Sequence, residues 1–206
     1  LKAPDGDGWK VLLGGLHAGV CLLAPLLIAV IASRVTEIER AGNGWLLFAA
    51  SGTTPGQLCR AKFLALGAPL AAVCVLWGLC VPMWGALLGV PAPVPTGRIV
   101  AYTASVCVIS LVILALQLLI SLASDNQLLA VGAGMLGVLL SMIGAMAPTW
   151  AQYLTPWTYY SLVAPMMFAG SDPVYLDAPF PGALVLAIAG AVAFTVITTR
   201  LDRKEV

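Results

Sequence analysis

Residues 34–62, RVTEIERAGNGWLLFAASGTTPGQLCRAK, form the one long polar interruption on their side of a chain that otherwise reads as membrane. The apolar stretch 11–33 runs into this segment and the apolar stretch 63–90 leaves it. A loop that keeps an amphipathic pattern of its own between two spans is suited to docking. Its first part, 33–40, continues the preceding span as a charged helical exit. Gly42 and Gly44 break that helix, and Trp45-Leu46-Leu47-Phe48 supplies an apolar face. A turn follows at 52–56, where Thr54 before Pro55 has the pattern of an N-cap with proline at the first helical position. Two short helices with a bend and one apolar face can insert into a groove on a cytoplasmic partner.

Composition sets the class around this loop. Hydrophobic residues make up 61% of the 206 and charged residues only 9%, against about 25% charged in a soluble domain. A water-facing surface cannot be covered with so few charges, and the mean hydropathy is +1.00. Five stretches reach the roughly 17–25 apolar residues that cross a bilayer: 11–33, 63–90, 99–123, 128–148 and 182–199. Among Asp, Glu, Lys, Arg and His, only His17 falls inside them. The expected fold is all-α: a polytopic helical membrane protein forming one transmembrane domain over 1–206. No basic patch points to nucleic acid.

Orientation follows from Lys and Arg near the span ends. With the 34–62 loop and the C-terminus cytoplasmic, that side holds Arg34, Arg40, Arg60, Lys62, Arg200, Arg203 and Lys204. Lys2, Lys10 and Arg98 remain outside. An outside N-terminus beginning at Leu1 without a signal peptide leads to the expectation of one more span upstream, six in all, with both ends inside.

The other connections differ in kind. Residues 91–98 (PAPVPTGR) make a short outer loop, and 124–127 (SDNQ) a tight inner turn in which Asp125 and Asn126 are placed for capping. The connection 149–181 is long and aromatic, with Trp150, Tyr153, Trp157, Tyr159, Tyr160, Phe168, Tyr175 and Phe180. Such rings favour the headgroup level, and Pro148, Pro156 and Pro165 cut the segment into pieces too short to span. It reads as short interfacial or re-entrant extracellular helices closed by an acidic tip at 170–177, either an anchor or a lid. Trp150, Tyr153, Trp157 and Tyr160 are the candidate extracellular gate. The five cysteines (Cys21, Cys59, Cys74, Cys80, Cys107) lack metal-ligand spacing and read as buried free thiols.

The 34–62 pattern resembles the permease subunits of type-2 ABC exporters, in the branch around lantibiotic immunity and drug efflux. Glu39, Gly44-Trp45, Leu46-Leu47, Thr54 and Lys62 carry the likeness, with departures at Gly52 and Pro55. Leu154-Thr155-Pro156-Trp157 stands where that family has its outer re-entrant helices. The resemblance implies a bacterial cell membrane and a separate ABC ATPase docked at Glu39, Arg40, Trp45, Leu46, Leu47, Thr54, Arg60 and Lys62. It also implies a second permease copy or paralogue, and outward movement of an amphipathic or hydrophobic substrate, an antimicrobial peptide or drug. ATP and magnesium would sit on the partner. This chain has no G-x-x-x-x-G-K-[ST] loop to cradle phosphates, so no cofactor and no metal is assigned to it.

Polar residues inside the spans have two readings each. His17 and Gln117 could line a translocation path or serve as interhelical hydrogen bonds. Glu37 and Glu39 could pair along the helix with Arg34 and Arg40. Gly15-x-x-x-Gly19 and the run Gly132, Gly134, Gly137, Ser141, Gly144 suggest close helix contacts, and Pro25, Pro69 and Pro82 suggest kinks. Two other classes remain. A scaffold or sensor subunit would share the docking loop without a path. An intramembrane enzyme would need paired ionisable groups, and His17 stands alone.

Overall fold

In hydrocarbon every backbone N–H and C=O must find its partner within the protein, which drives apolar stretches of this length into helices. The structure is a computed structural model. It describes residues 7–42, 50–90, 93–124, 126–170, 172–176 and 180–203, with the backbone alone for Arg40, Ala41 and Phe180. Trp45, Leu46, Leu47 and Asp125 lie outside the described residues. Five long helices dominate: α1 (Gly8–Ala41), α2 (Pro55–Leu87), α3 (Thr96–Ala123), α4 (Gln127–Ile143) and α7 (Phe180–Arg203). Each is long and apolar enough to cross a membrane, the architecture of a multi-pass helical membrane protein. At 1.5 Å per residue α1 reaches about 50 Å, well beyond the roughly 30 Å hydrocarbon core. Its charged last turns therefore project past the bilayer as one continuous helix.

Two helix starts follow from local chemistry. The Thr54 hydroxyl accepts the Gln57 N–H at 3.3 Å and the Gln57 side chain accepts the Thr54 N–H at 3.2 Å, with Pro55 opening the helix. This reciprocal box satisfies two donors that the first turn would otherwise leave open. At the α3–α4 turn the Asn126 side chain accepts the Leu128 N–H at 2.9 Å.

Helix α3 is the centre of the bundle and packs against α1, α2, α4 and α7. Ile109, Ile113, Leu114, Gln117 and Leu118 are buried along it. Helix α4 lies closely on α1: a side chain at Gly134 would collide with Ala29, so glycine is what lets the two backbones approach there. Gly15 and Gly19 behave otherwise. Among the described residues, no atom beyond α1's own nearby backbone lies within 4 Å of where their side chains would begin, so the small-residue pattern on α1 borders a space and does not receive one of the described helices.

Pro25 lacks an N–H and leaves the Cys21 carbonyl one turn back without its helical donor. The Ser141 hydroxyl of α4 donates to that carbonyl at 2.7 Å. A break in one helix is thus repaired by its neighbour, which also fixes the register of α1 on α4.

The connection from α4 to α7 departs from a purely helical segment. After a 3-10 turn at Gly144–Met146 come two single-turn helices, α5 (Thr149–Gln152) and α6 (Tyr159–Leu162). An antiparallel hairpin follows, β1 (Met166–Ala169) with β2 (Asp172–Tyr175), pairing Met166 with Tyr175 and Ala169 with Asp172. At about 6 Å each, α5 and α6 are too short to span, and Tyr159, Tyr160 and Ser161 of α6 are buried against α3 and α4. Of the expected acidic tip at 170–177, Asp172–Tyr175 form the second strand of the hairpin, and Ser171 and Asp177 lie outside the described residues. Gly170 takes a positive φ of 71° at the turn, which glycine adopts without the cost a side chain imposes.

Ser141→Ala should lower stability in detergent by about 1 kcal/mol. In a Pro25→Ala background, where residue 25 regains its own N–H, the same change should cost close to nothing, as a double-mutant thermal or denaturant series would show.

Candidate functional site

Helices α1 and α2 are joined near their two ends and part between them. At the end carrying the hairpin, called the head, the Trp9 ring lies directly on Gly85, where any larger residue would collide with it. Leu13, Val81 and Ile99 complete that buried cluster. At the opposite end, the foot, Lys62 of α2 pairs with Glu39 of α1 at 2.5 Å. The Lys62 side chain is only 7% exposed and Glu39 24%. Such a pair, mostly out of water, holds because each charge is compensated by the other.

Between the two junctions lies a cleft of about 550 Å³. Gly15, Gly19, Leu23 and Leu27 mark one wall, Leu70 and Val73 the other, and α3 supplies the floor through Val106, Ser110 and Leu114. Its lining is almost wholly apolar, with Thr103 and Ser110 the hydroxyl-bearing exceptions. The rim residues Leu23, Leu27, Ile31 and Val73 are about half exposed. The cleft therefore opens sideways, toward the surface that faces lipid.

His17 and Gln117 are engaged in structure beside this cleft and are not among its lining residues. His17 Nδ1 and the Tyr102 hydroxyl share a hydrogen bond of 3.0 Å, and His17 Nε2 lies 3.4 Å from the Cys21 thiol. The Tyr102 ring, buried on α3, packs in turn on Trp77 of α2 at 5.6 Å between ring centres. Gln117 is fully buried. Oriented to satisfy both groups, its amide donates to the Ala130 carbonyl at 3.2 Å and accepts the Gly134 N–H at 3.3 Å. That ties α3 to α4 at the point where α4 meets α1.

The residues assigned to partner docking fall into two groups. Glu39, Thr54, Arg60 and Lys62 come together at the foot and are used within the chain. The Thr54 hydroxyl donates to Asp202 of α7 at 2.5 Å, and Arg60 pairs with the other oxygen of that carboxylate at 2.9 Å. The start of α2, from its cap at Thr54 to Lys62 two turns in, is thus bound to α7 through Asp202 and to α1 through Glu39. Glu39 thus makes a contact across helices, and Arg34 pairs locally with Glu37 at 3.2 Å. Trp45, Leu46, Leu47 and the Arg40 side chain lie outside the described residues. Asp202 carries much of this arrangement, and no spacing in the sequence singled it out.

The four aromatic residues at the head also divide. Trp150 is 70% exposed and Tyr153 44%. Trp157 is buried against Gly137, and Tyr160, fully buried, shares a 2.9 Å hydrogen bond with Ser110 of the cleft floor. Comparison with protein-family models, curated proteins and solved structures finds no match for this chain.

Removing either charge at the foot strands the other in a place poor in water. Lys62→Met and Glu39→Gln should each lower stability by about 2–3 kcal/mol. The exchanged pair Glu39→Lys with Lys62→Glu should regain at least half of that loss in a thermal unfolding series.

Proposed function

We propose that this chain is the membrane-spanning subunit of an ATP-driven exporter of the bacterial cell membrane. In this reading it provides the path for an amphipathic or hydrophobic substrate, while a separate ABC ATPase hydrolyses ATP with magnesium. The observation that carries the reading is the apolar cleft open toward the bilayer, flanked at its foot by ion pairs that bind three helices to the two ends of the 34–62 segment. A substrate that partitions into lipid reaches such a cleft sideways, without crossing water.

The division among the docking residues supports a particular coupling route. Glu39, Thr54, Arg60 and Lys62 are engaged inside the chain, so they transmit movement and do not themselves make the contact. The ATPase contact falls to Trp45, Leu46 and Leu47, with Arg40 beside them. Movement imposed there reaches α1 through Glu39 and α7 through Asp202. A second copy or a paralogue completes the path, and the exposed head aromatics Trp150 and Tyr153 border its outer exit.

Affinity capture of the protein from native membranes tests this reading. Wild type should retain an ATP-hydrolysing partner and Trp45→Asp should lose at least nine-tenths of it, with unchanged thermal stability. Reconstituted with that partner, the protein should move a fluorescent amphiphile only when ATP is supplied. No retained ATPase in lipid, with the fold intact, would favour a scaffold or sensor subunit.

A further inference from the structure

The shape of the cleft restricts what can fill it. Its α1 wall runs from Gly15 to Ile31, about 24 Å at the helical rise, which is most of the roughly 30 Å hydrocarbon core. A volume of about 550 Å³ spread over that length leaves a mean cross-section on the order of 20 Å². That is about the area of one hydrocarbon chain packed at carbon contact distances of about 4 Å. An α-helix, about 10–12 Å across with its side chains, needs several times as much.

We propose that the cleft is a binding site for phospholipid acyl chains, held singly and end to end, one from each leaflet. Each leaflet supplies about 15 Å of hydrocarbon, so one chain covers roughly half of the length and two meet near the midplane. The half-exposed rim admits them directly from the bilayer. Gly15 and Gly19 make room for them: empty space stands over both, which leaves the chain contour free along α1. Leu23, Leu27, Leu70 and Val73 provide the apolar contacts. Headgroups remain at the two ends, where Arg34 at the foot, exposed one turn beyond Ile31, stands at phosphate level. On the transport reading these chains are what an arriving amphiphile displaces, but the site stands or falls apart from that reading.

The test uses phosphatidylglycerol carrying a photoactivated diazirine at the chain end, in nanodiscs with the full chain, and maps labelled residues by mass spectrometry. Leu23 and Val73 should be labelled at least fivefold more than Leu136 and Leu139, which are about equally exposed on α4. Moving the diazirine close to the ester should shift the label to the two ends of the cleft, Ile31 and Leu66 at the foot and Leu16 and Trp84 at the head. Gly19→Phe starts a ring in the cleft from a Cβ with no other described residue's side chain within 4 Å and should cut the Val73 label at least fivefold. Gly132→Phe, on α4 and equally unobstructed, should leave it unchanged. Ala24→Leu, a smaller step into the same space, serves if Gly19→Phe does not fold. Equal labelling of cleft and α4 would mean ordinary surrounding lipid and would overturn the site, as would labelling that survives the filled cleft. Strong cleft labelling without ATP-driven movement would leave the site standing and sink only the transport reading.

Discussion

The spacing between α1 and α2 is set near two ends and nowhere in the middle. At the head an indole ring lies against a glycine, and at the foot a lysine meets a glutamate. The first contact depends on shape: only the missing side chain at Gly85 lets Trp9 reach the α2 backbone. The second depends on charge: in surroundings poor in water, an unpaired ammonium or carboxylate is costly enough to hold the helix ends together. With both ends closed and Gly15 and Gly19 thinning α1 between them, a gap along the middle is the geometric result. Helix α3 closes the back of that gap.

The polar residues in the spans are what keep this frame in place. Ser141 completes the Cys21 carbonyl that Pro25 exposes, Gln117 satisfies backbone groups of α4, and His17 with Tyr102 ties α1 to α3. Each is a modest interaction of about 1 kcal/mol, but each fixes one helix against another. Because these groups are directed into helix junctions, the cleft keeps an apolar lining that hydrocarbon can wet. At the foot, Asp202 and Glu39 bind the first two turns or so of α2 on two sides. A force on the 34–62 segment would therefore reach three helices together.

Features that depend on one short stretch of sequence were legible in it. Span number and approximate limits follow from apolar length, and the Thr54 cap with Pro55 follows from a pattern four residues long. Placing the 34–62 segment and the C-terminus on one side from Lys and Arg agrees with the Arg60–Asp202 contact. Features that join distant residues were not legible. Glu39 was read beside Arg40 because neighbours along a helix are visible in sequence, whereas Lys62 reaches it only after α1 and α2 turn back on each other. Gly15 and Gly19 match a contact pattern, but spacing cannot tell whether a helix arrives there. The hairpin escaped for a different reason. Its strands are four residues long without alternation, and their aromatic residues carry an equally valid interfacial signal.

The central claim is that α1 and α2 meet at the head and part in the middle. Oxidative cross-linking in a cysteine-free background tests it directly, because a disulfide needs Cβ atoms about 3.5–4.5 Å apart. A cysteine at Gly8 would place its Cβ 3.7 Å from that of residue 90, so the pair Gly8→Cys with Val90→Cys should cross-link readily in lipid. The pair Gly19→Cys with Val73→Cys faces the open cleft, where no atom lies within 4 Å of the new Cβ, and should remain reduced under the same oxidant. Equal cross-linking of the two pairs would mean that α1 and α2 close on each other along their length, and that the cleft does not exist in the membrane.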